Sequence, residues 1–306
     1  MNTNINIGVF GCTDSTQHVL QKLLEIDYIN VKVLVTLSKK EGQKKSRFKK
    51  ITFHKNKLNI QIFEVPKVNE DELKVHLTGL SLDVILEIGW SLKIPKSILK
   101  IPRFGTVGIH NSLLPEFQGP ASLNWALIWD YKVWGCTLFH LEENFDEGDI
   151  IYQQSFEIDD SDDINTLFSK SDQAASKMIL WFLKSLPGKG APRLIQDKSQ
   201  ISRTRKRVPE DSLIDWRDTT RVIFNLIRAT KRPYPNAFSF INGEKILING
   251  AVKVIGIKGI PGTILSISEN NILVATGNGA ICLSEYVFES GNSYVLNVGE
   301  KFDEEI

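Results

Sequence analysis

The chain is 306 residues long, room for one large domain or two ordinary ones, and its 42% hydrophobic and 24% charged content excludes a wholly disordered or fibrous protein. Its 37 basic and 36 acidic side chains leave a formal net charge of +1, which excludes a global field of the kind that draws a protein onto nucleic acid or anionic lipid. Cys12, Cys136 and Cys282 lie far apart and without metal-ligand spacing, so neither a disulfide framework nor a structural metal is expected. Met1 to Ile7 lacks the basic and apolar regions of a leader, and no apolar run approaches 18 residues, so a cytoplasmic protein without a membrane partner is expected.

The run Ile5 to Gly11 is a short apolar strand, followed by capping residues Thr13, Asp14 and Ser15 and by Val19, Leu20, Leu23 and Leu24 at helical spacing. Further strands are expected at Val31–Leu37, Ile60–Val65 and Val84–Ile88, with helical patterns between several of them. Such alternation implies a doubly wound parallel sheet whose ligands gather at the carboxyl ends of the strands. A helix is predicted over Ile164–Leu186, capped by Asp162 or Asp163 and stopped by Pro187 and Gly188. Lys189–Arg207 is polar and basic and reads as a linker. After a helix at Arg217–Ala229, short β-runs punctuated by turns (238–241, 245–248, 262–267, 272–275 and 281–286) suggest a small antiparallel barrel.

Two segments set polar residues amid apolar sequence. In Gly105–Pro120 a histidine, His110, ends a strand and is followed by Asn111, Ser112, Leu113, Leu114 and Pro115, a placement that suits either a residue facing a cleft or a core histidine bonded to backbone. In Leu141–Ile151, Glu142, Glu143, Asp146, Glu147 and Asp149 cluster around Gly148 without the alternating oxygens of a calcium loop. The cluster is either a solvated turn or the source of one carboxylate that turns inward and sets the charge of His110.

Gly108–Pro115, with Phe117, Gln118 and Gly119 behind it and Asp146, Glu147 and Gly148 following about thirty-six residues after His110, resembles the folate-dependent formyltransferases. That group includes enzymes acting on glycinamide ribonucleotide, methionyl-tRNA and nucleotide-linked amino sugars. The resemblance implies an α/β fold, a Rossmann-like domain with a parallel-rich twisted sheet over residues 1–205. A C-terminal helix and small OB-like β-barrel would occupy 206–306. It implies N10-formyltetrahydrofolate as formyl donor, no metal, and His110 and Asp146 as catalytic residues. The family's asparagine belongs two residues before the histidine, where this chain has Gly108, so a substitute oxyanion donor is expected: Asn111, Asn124, a backbone N–H or a water. The folate would lie against Trp90, Ser91, Leu92, Lys93 and Ile94 and against Glu142, Glu143, Asn144, Phe145 and Asp146. Ser112, Leu113, Pro115, Gln118 and Gly119 would line the acceptor side.

Arg207–Trp216, Ile227–Ala229 and Pro233–Phe240 resemble the post-catalytic region of sugar-nucleotide formyltransferases. From Ile201 onward thirteen Lys plus Arg face twelve Asp plus Glu, an excess of one, which argues against a tRNA-gripping face. The expected acceptor is therefore a 4-amino-4-deoxy or 4-amino-4,6-dideoxy sugar on UDP or dTDP, for surface-glycan biosynthesis. Arg207, Arg228, Lys231 and Arg232 would meet the pyrophosphate or stay as solvated surface charges, and Tyr234 or Phe238 would stack on the base. No nucleic-acid partner is expected, and a homodimer is an allowed assembly. The alternatives are methionyl-tRNA formylation and a non-catalytic folate or sugar-nucleotide binding protein. A basic cluster at Lys39, Lys40, Lys44, Lys45, Arg47, Lys49 and Lys50 would steer a pyrophosphate, or an RNA under the tRNA alternative.

Overall fold

A computed structural model describes residues 4–52, 59–66, 70–188, 190, 192–269, 271–291 and 294–303. The start of the leader reading, Met1 to Thr3, and Lys189 and Ala191 of the expected linker lie outside the described residues. The chain divides into two compact units, one of residues 1–119, 133–157 and 168–204, the other of 120–132, 158–167 and 205–306.

The first unit is a seven-stranded sheet of β1 (Ile5–Phe10), β2 (Ile29–Leu37), β3 (Gln61–Val65), β4 (Val84–Glu87), β5 (Thr106–His110), β6 (Val133–His140) and β7 (Ile150–Glu157), in the order β3-β2-β1-β4-β5-β6-β7. The five strands from β3 to β5 are parallel, and β6 and β7 add antiparallel at one edge. The expected parallel-rich α/β sheet is thus present. The sequence Ile-Asn-Ile-Gly-Val-Phe of β1 is nearly all buried because helices cover both faces of the sheet. On one face α1 (Asp14–Leu24) and α6 (Ile164–Ser185) bring Leu20, Leu23, Met178, Ile179 and Phe182 against Ile7, Val9 and Leu86. On the other, α3 (Glu70–Thr78) and the short α4 (Lys96–Leu99) bring Leu73, Leu77 and Ile98 against Phe10, Val33 and Val35. Each such fully buried side chain stabilises the fold by about 1.5–3 kcal/mol. Another short helix, α2 (Lys39–Gly42), follows β2. Thr13 caps α1 through a reciprocal bond pair with Thr16, and Asp163 caps α6, its Oδ1 accepting the N–H groups of Asn165 and Thr166.

The expected linker is instead bound into this unit. Leu194 exchanges both backbone hydrogen bonds with Ile150, and Gln118 donates to the Ser202 carbonyl and accepts from Thr204 N–H. Polar composition suggested freedom, but backbone groups can pair whatever the side chains.

The second unit contains α5 (Ser122–Ile128), α7 (Thr220–Thr230) and five antiparallel strands: β8 (Ala237–Ile241), β9 (Glu244–Val254), β10 (Ile264–Ser268), β11 (Asn271–Thr276) and β12 (Gly279–Phe288), in the order β10-β11-β12-β9-β8. Asn242 and Gly243, both at positive φ, form the tight β8–β9 turn. The amphipathic face of α7 places Ile223 and Ile227 on a core with Trp216, Ile246, Ile248, Ile281 and Phe302. The C-terminal segment touches both ends of the sheet, Phe302 N–H donating to the Gly262 carbonyl and Asp303 N–H to the Phe240 carbonyl. Among the described residues the edge strands β8 and β10 do not pair directly with each other. Among the described residues no helix is long and apolar enough to cross a membrane.

Candidate active site

His110 is the last residue of β5, at the carboxyl end of the parallel strands, and Asp146 lies in the turn between β6 and β7. Fold closure brings the two together. Nε2–H of His110 donates to the Phe117 carbonyl at 2.9 Å, which leaves Nδ1 as the nitrogen facing Asp146 Oδ1, at 3.5 Å. That separation is longer than a hydrogen bond of good geometry. Both side chains are largely enclosed, at 11% and 17% exposure, so their attraction is little screened.

Asp146 is held from several sides. Its backbone is left-handed at φ 60°, its Oδ2 accepts the Gly119 N–H at 2.8 Å, and its carbonyl accepts from Gln118 Nε2 and Gln196 Nε2. The Gln196 amide also donates to the Gly148 carbonyl at 2.8 Å. Gln118 and Gly119, expected to touch the acceptor, therefore orient Asp146 instead; Gln118 is fully buried. Ser112 is likewise buried, donating to the Glu116 carbonyl, while Leu113 packs over Gly135 and Pro115 sits half-buried in the same turn. Gln196 was hidden in the presumed linker, where no local pattern marks it. Changing Gln196 to Leu leaves the Gly148 carbonyl without its donor and takes from the Asp146 carbonyl one of its two, so a stability loss of about 1–3 kcal/mol in urea melts and a lower kcat are expected.

Of the expected folate contacts, Ile94 is buried, Trp90 and Leu92 are half-buried, and Ser91 and Lys93 are exposed. Trp90 packs edge-on against Phe10, and its buried Nε1–H has no partner among the described residues, a donor free for a ligand acceptor. Phe145 is 64% exposed, an apolar surface suited to a flat ring. Glu143 pairs with Lys96 at 3.0 Å and Asn144 donates to Glu147, which brace the loop. Glu142 instead lines a cavity of about 470 Å³ with Lys96, Arg103, His140 and Arg193. His140 is held down to about 4 there, by burial first and by Arg193 second.

In the second unit Arg228 is taken up internally. Its side chain is 5% exposed, and it donates to Asn225 and to the carbonyls of Asp159 and Asp162. It ties α7 to the segment before α6, which corrects its assignment to a pyrophosphate. Arg207 similarly donates to the Asp211 carbonyl and Ser212. Phe238 lies under Lys245 and edge-on to Phe240, and Tyr234 is half-buried after the Pro233 turn. Two suggested replacements for the missing asparagine are also engaged: Asn111 Oδ1 accepts from Ser171, and Asn124 donates to the Ala229 carbonyl at 2.7 Å. Among the described residues no cluster of His, Cys, Asp and Glu could hold a metal.

Comparison with known proteins matches residues 4–183 to the formyl transferase family and 206–296 to the formyl transferase C-terminal domain. A methionyl-tRNA formyltransferase of Malacoplasma penetrans is 32% identical over 94% of this chain and 91% of its own. One from Caldicellulosiruptor saccharolyticus is 29% identical over 94% and 93%. Among solved structures, HypX from Aquifex aeolicus in complex with tetrahydrofolic acid superposes with a TM-score of 0.70 at 18% identity, over 94% of this chain and 45% of that one. WlaRD, a sugar 3N-formyl transferase, superposes at 0.66 and 20% identity over 92% and 98%. The likeness to sugar enzymes is thus one of fold, whereas the sequence relatives are named for methionyl-tRNA. This overturns the expectation of a nucleotide-linked amino sugar and of no nucleic-acid partner. The near-zero charge of the C-terminal half misled because net charge averages over the chain, whereas polyanion binding depends on local patches.

Proposed function

Because the chain belongs to the formyl transferase family, we propose that it moves a formyl group from N10-formyltetrahydrofolate to the amine of methionyl-tRNA in the cytoplasm. The observation that carries this reading is sequence identity of about 30% to methionyl-tRNA formyltransferases across nearly the whole chain. Purified protein given charged initiator tRNA and the formyl donor is expected to yield formylmethionyl-tRNA; absence of product with saturating donor and tRNA would overturn it.

The chemistry follows from the His110–Asp146 pair. The neutral amine attacks the formyl carbon, and the carbonyl electron pair moves onto oxygen. A proton must then leave the incoming nitrogen and reach N10 of the folate as the bond from carbon to N10 breaks. With Nε2–H committed to the Phe117 carbonyl, Nδ1 is the atom that takes and returns this proton. Asp146 favours the transient imidazolium by direct attraction. The pterin lies between the Trp90–Ile94 and Glu142–Asp146 loops, with the Trp90 indole N–H as one polar anchor.

The basic loop after β2 fits an RNA backbone. Lys44 pairs with Glu41, Lys49 with Asp14, and Arg47 stacks on Phe168, whereas exposed Lys39, Lys40, Lys45 and Lys50 form no ion pair among the described residues. Replacing these four by Gln is expected to raise KM for tRNA about tenfold or more and to make its salt dependence shallower, with kcat within about twofold. Steady-state kinetics at two salt concentrations check this.

A further inference from the structure

Glu87, the last residue of β4, lies beside the strand that carries His110. It pairs in register with Gly108 of β5. Alternation along β5 turns positions 108 and 110 to the same face of the sheet. Gly108 leaves that face open, and the Glu87 side chain occupies the space. A Cβ built at position 108 would stand 2.8 Å from Glu87 Oε2 and 2.5 Å from Leu141 Cδ1. The carboxyl is also oriented: Oε1 accepts the Trp90 backbone N–H at 2.7 Å, and Oε2 has no hydrogen-bond partner among the described residues.

Its surroundings disfavour charge. Burial, with a smaller push from the nearby Asp146 carboxylate, raises the carboxyl to about 8 against the partial opposition of the Trp90 N–H. The other titratable groups around it are His110 on β5 and Cys12 beyond β1, whose thiol burial pushes up to about 11. At neutral pH Glu87 is thus a neutral acid whose O–H sits on the unpartnered oxygen, on the His110 face.

Formyl transfer places negative charge on the formyl oxygen, and His110 Nδ1 is occupied with the proton that travels between the two nitrogens. A second, static donor is therefore wanted. We propose that protonated Glu87 is that donor, its carboxylic O–H hydrogen-bonding the formyl oxygen as it becomes an oxyanion. The inference rests on the formyl-transfer reading. Glu87 keeps its proton throughout. The new carbon–nitrogen bond forms at the amine, the bond to N10 breaks with its electron pair going to N10, and the travelling proton ends there. A carboxylic acid kept neutral by its site can serve an oxyanion in this way.

The test compares Glu87→Leu, which removes the donor, with Glu87→Gln, which keeps an uncharged one. Glu87→Leu is expected to lower kcat by about 10²–10³ with the donor KM changed less than about threefold. Wild-type kcat should fall as pH rises through about 8, because the ionised carboxylate cannot donate and repels the oxyanion. Glu87→Gln should stay within about tenfold of the wild type at pH 7 and lose that decline. Circular dichroism confirms folding; if the Leu variant does not fold, the pH profiles of wild type and Gln carry the test. The same ratios are read with water as acceptor, by formate release from N10-formyltetrahydrofolate, which needs no tRNA. A missing tRNA product with an intact formate ratio would refute the acceptor alone. A folded Leu variant within threefold of wild type, a Gln variant as impaired as Leu, or identical pH profiles would overturn the role of Glu87.

Discussion

Replacing His110 by Ala is expected to lower kcat for formyl transfer by about 10³ or more, with little change in the binding of donor or tRNA. General acid–base catalysis by one group contributes roughly 10²–10⁴, and His110 is the base that lies 3.5 Å from Asp146. The fold should survive, because the ring makes one hydrogen bond to protein, to the Phe117 carbonyl, and is not part of a hydrophobic cluster. Single-turnover formylation with saturating donor separates the chemical step from binding. A His110→Asn protein retains a donor and loses the proton relay, so it should be about as slow as the Ala protein. A rate within threefold of wild type in either variant would refute the role of the imidazole.

A second large effect is expected at Gly148, where any side chain collides with backbone. A Cβ there would be driven into the carbonyl oxygen of His140, the last residue of β6. That oxygen cannot swing away as a flexible side chain can, because His140 N–H is itself bonded to the Asp149 carbonyl and so pins the neck of the loop. Gly148→Ala must therefore displace the turn, break the Gln196 contact to the Gly148 carbonyl, and move Asp146 off His110. A destabilisation of about 3 kcal/mol or more is expected in urea unfolding, from strain plus an unsatisfied buried amide. Any folded fraction should show kcat reduced about a hundredfold, since small misplacements of a catalytic pair are costly. Equal midpoints for variant and wild type would refute this account of the glycine.

The candidate pair His110 and Asp146 was legible because its signals are local. His110 with the Ser-Leu-Leu-Pro turn, and Asp146 with Gly148, each lie within a few residues of chain, and backbone demands there restrict residue choice. The parallel sheet was legible for a similar reason: β1 and β2 are buried on both faces, so their sequences are nearly continuous apolar runs. The acceptor was not legible. Arg207 and Arg228 look like phosphate ligands in one dimension, yet both are tied to carbonyls and side chains within the second unit, with Arg207 Nη1 and Arg228 Nη2 making no hydrogen bond among the described residues. The charge balance of the C-terminal half likewise carried no information about the Lys39–Lys50 loop, which belongs to the first unit.

By itself the amino-acid sequence determined most of the elements and the sheet class, because periodicity, caps and turn chemistry act over a few residues and need no partner, while His110 and Asp146 stood out as candidates through the family resemblance of their two segments. The tertiary structure alone decided which distant groups meet. Strand register puts Glu87 beside Gly108, and the strap at 192–204 lays Gln196 under Asp146. Neither contact leaves a local mark, since a half-buried glutamate at the end of a strand and a glutamine in a polar segment are set near His110 and its loop only by chain closure.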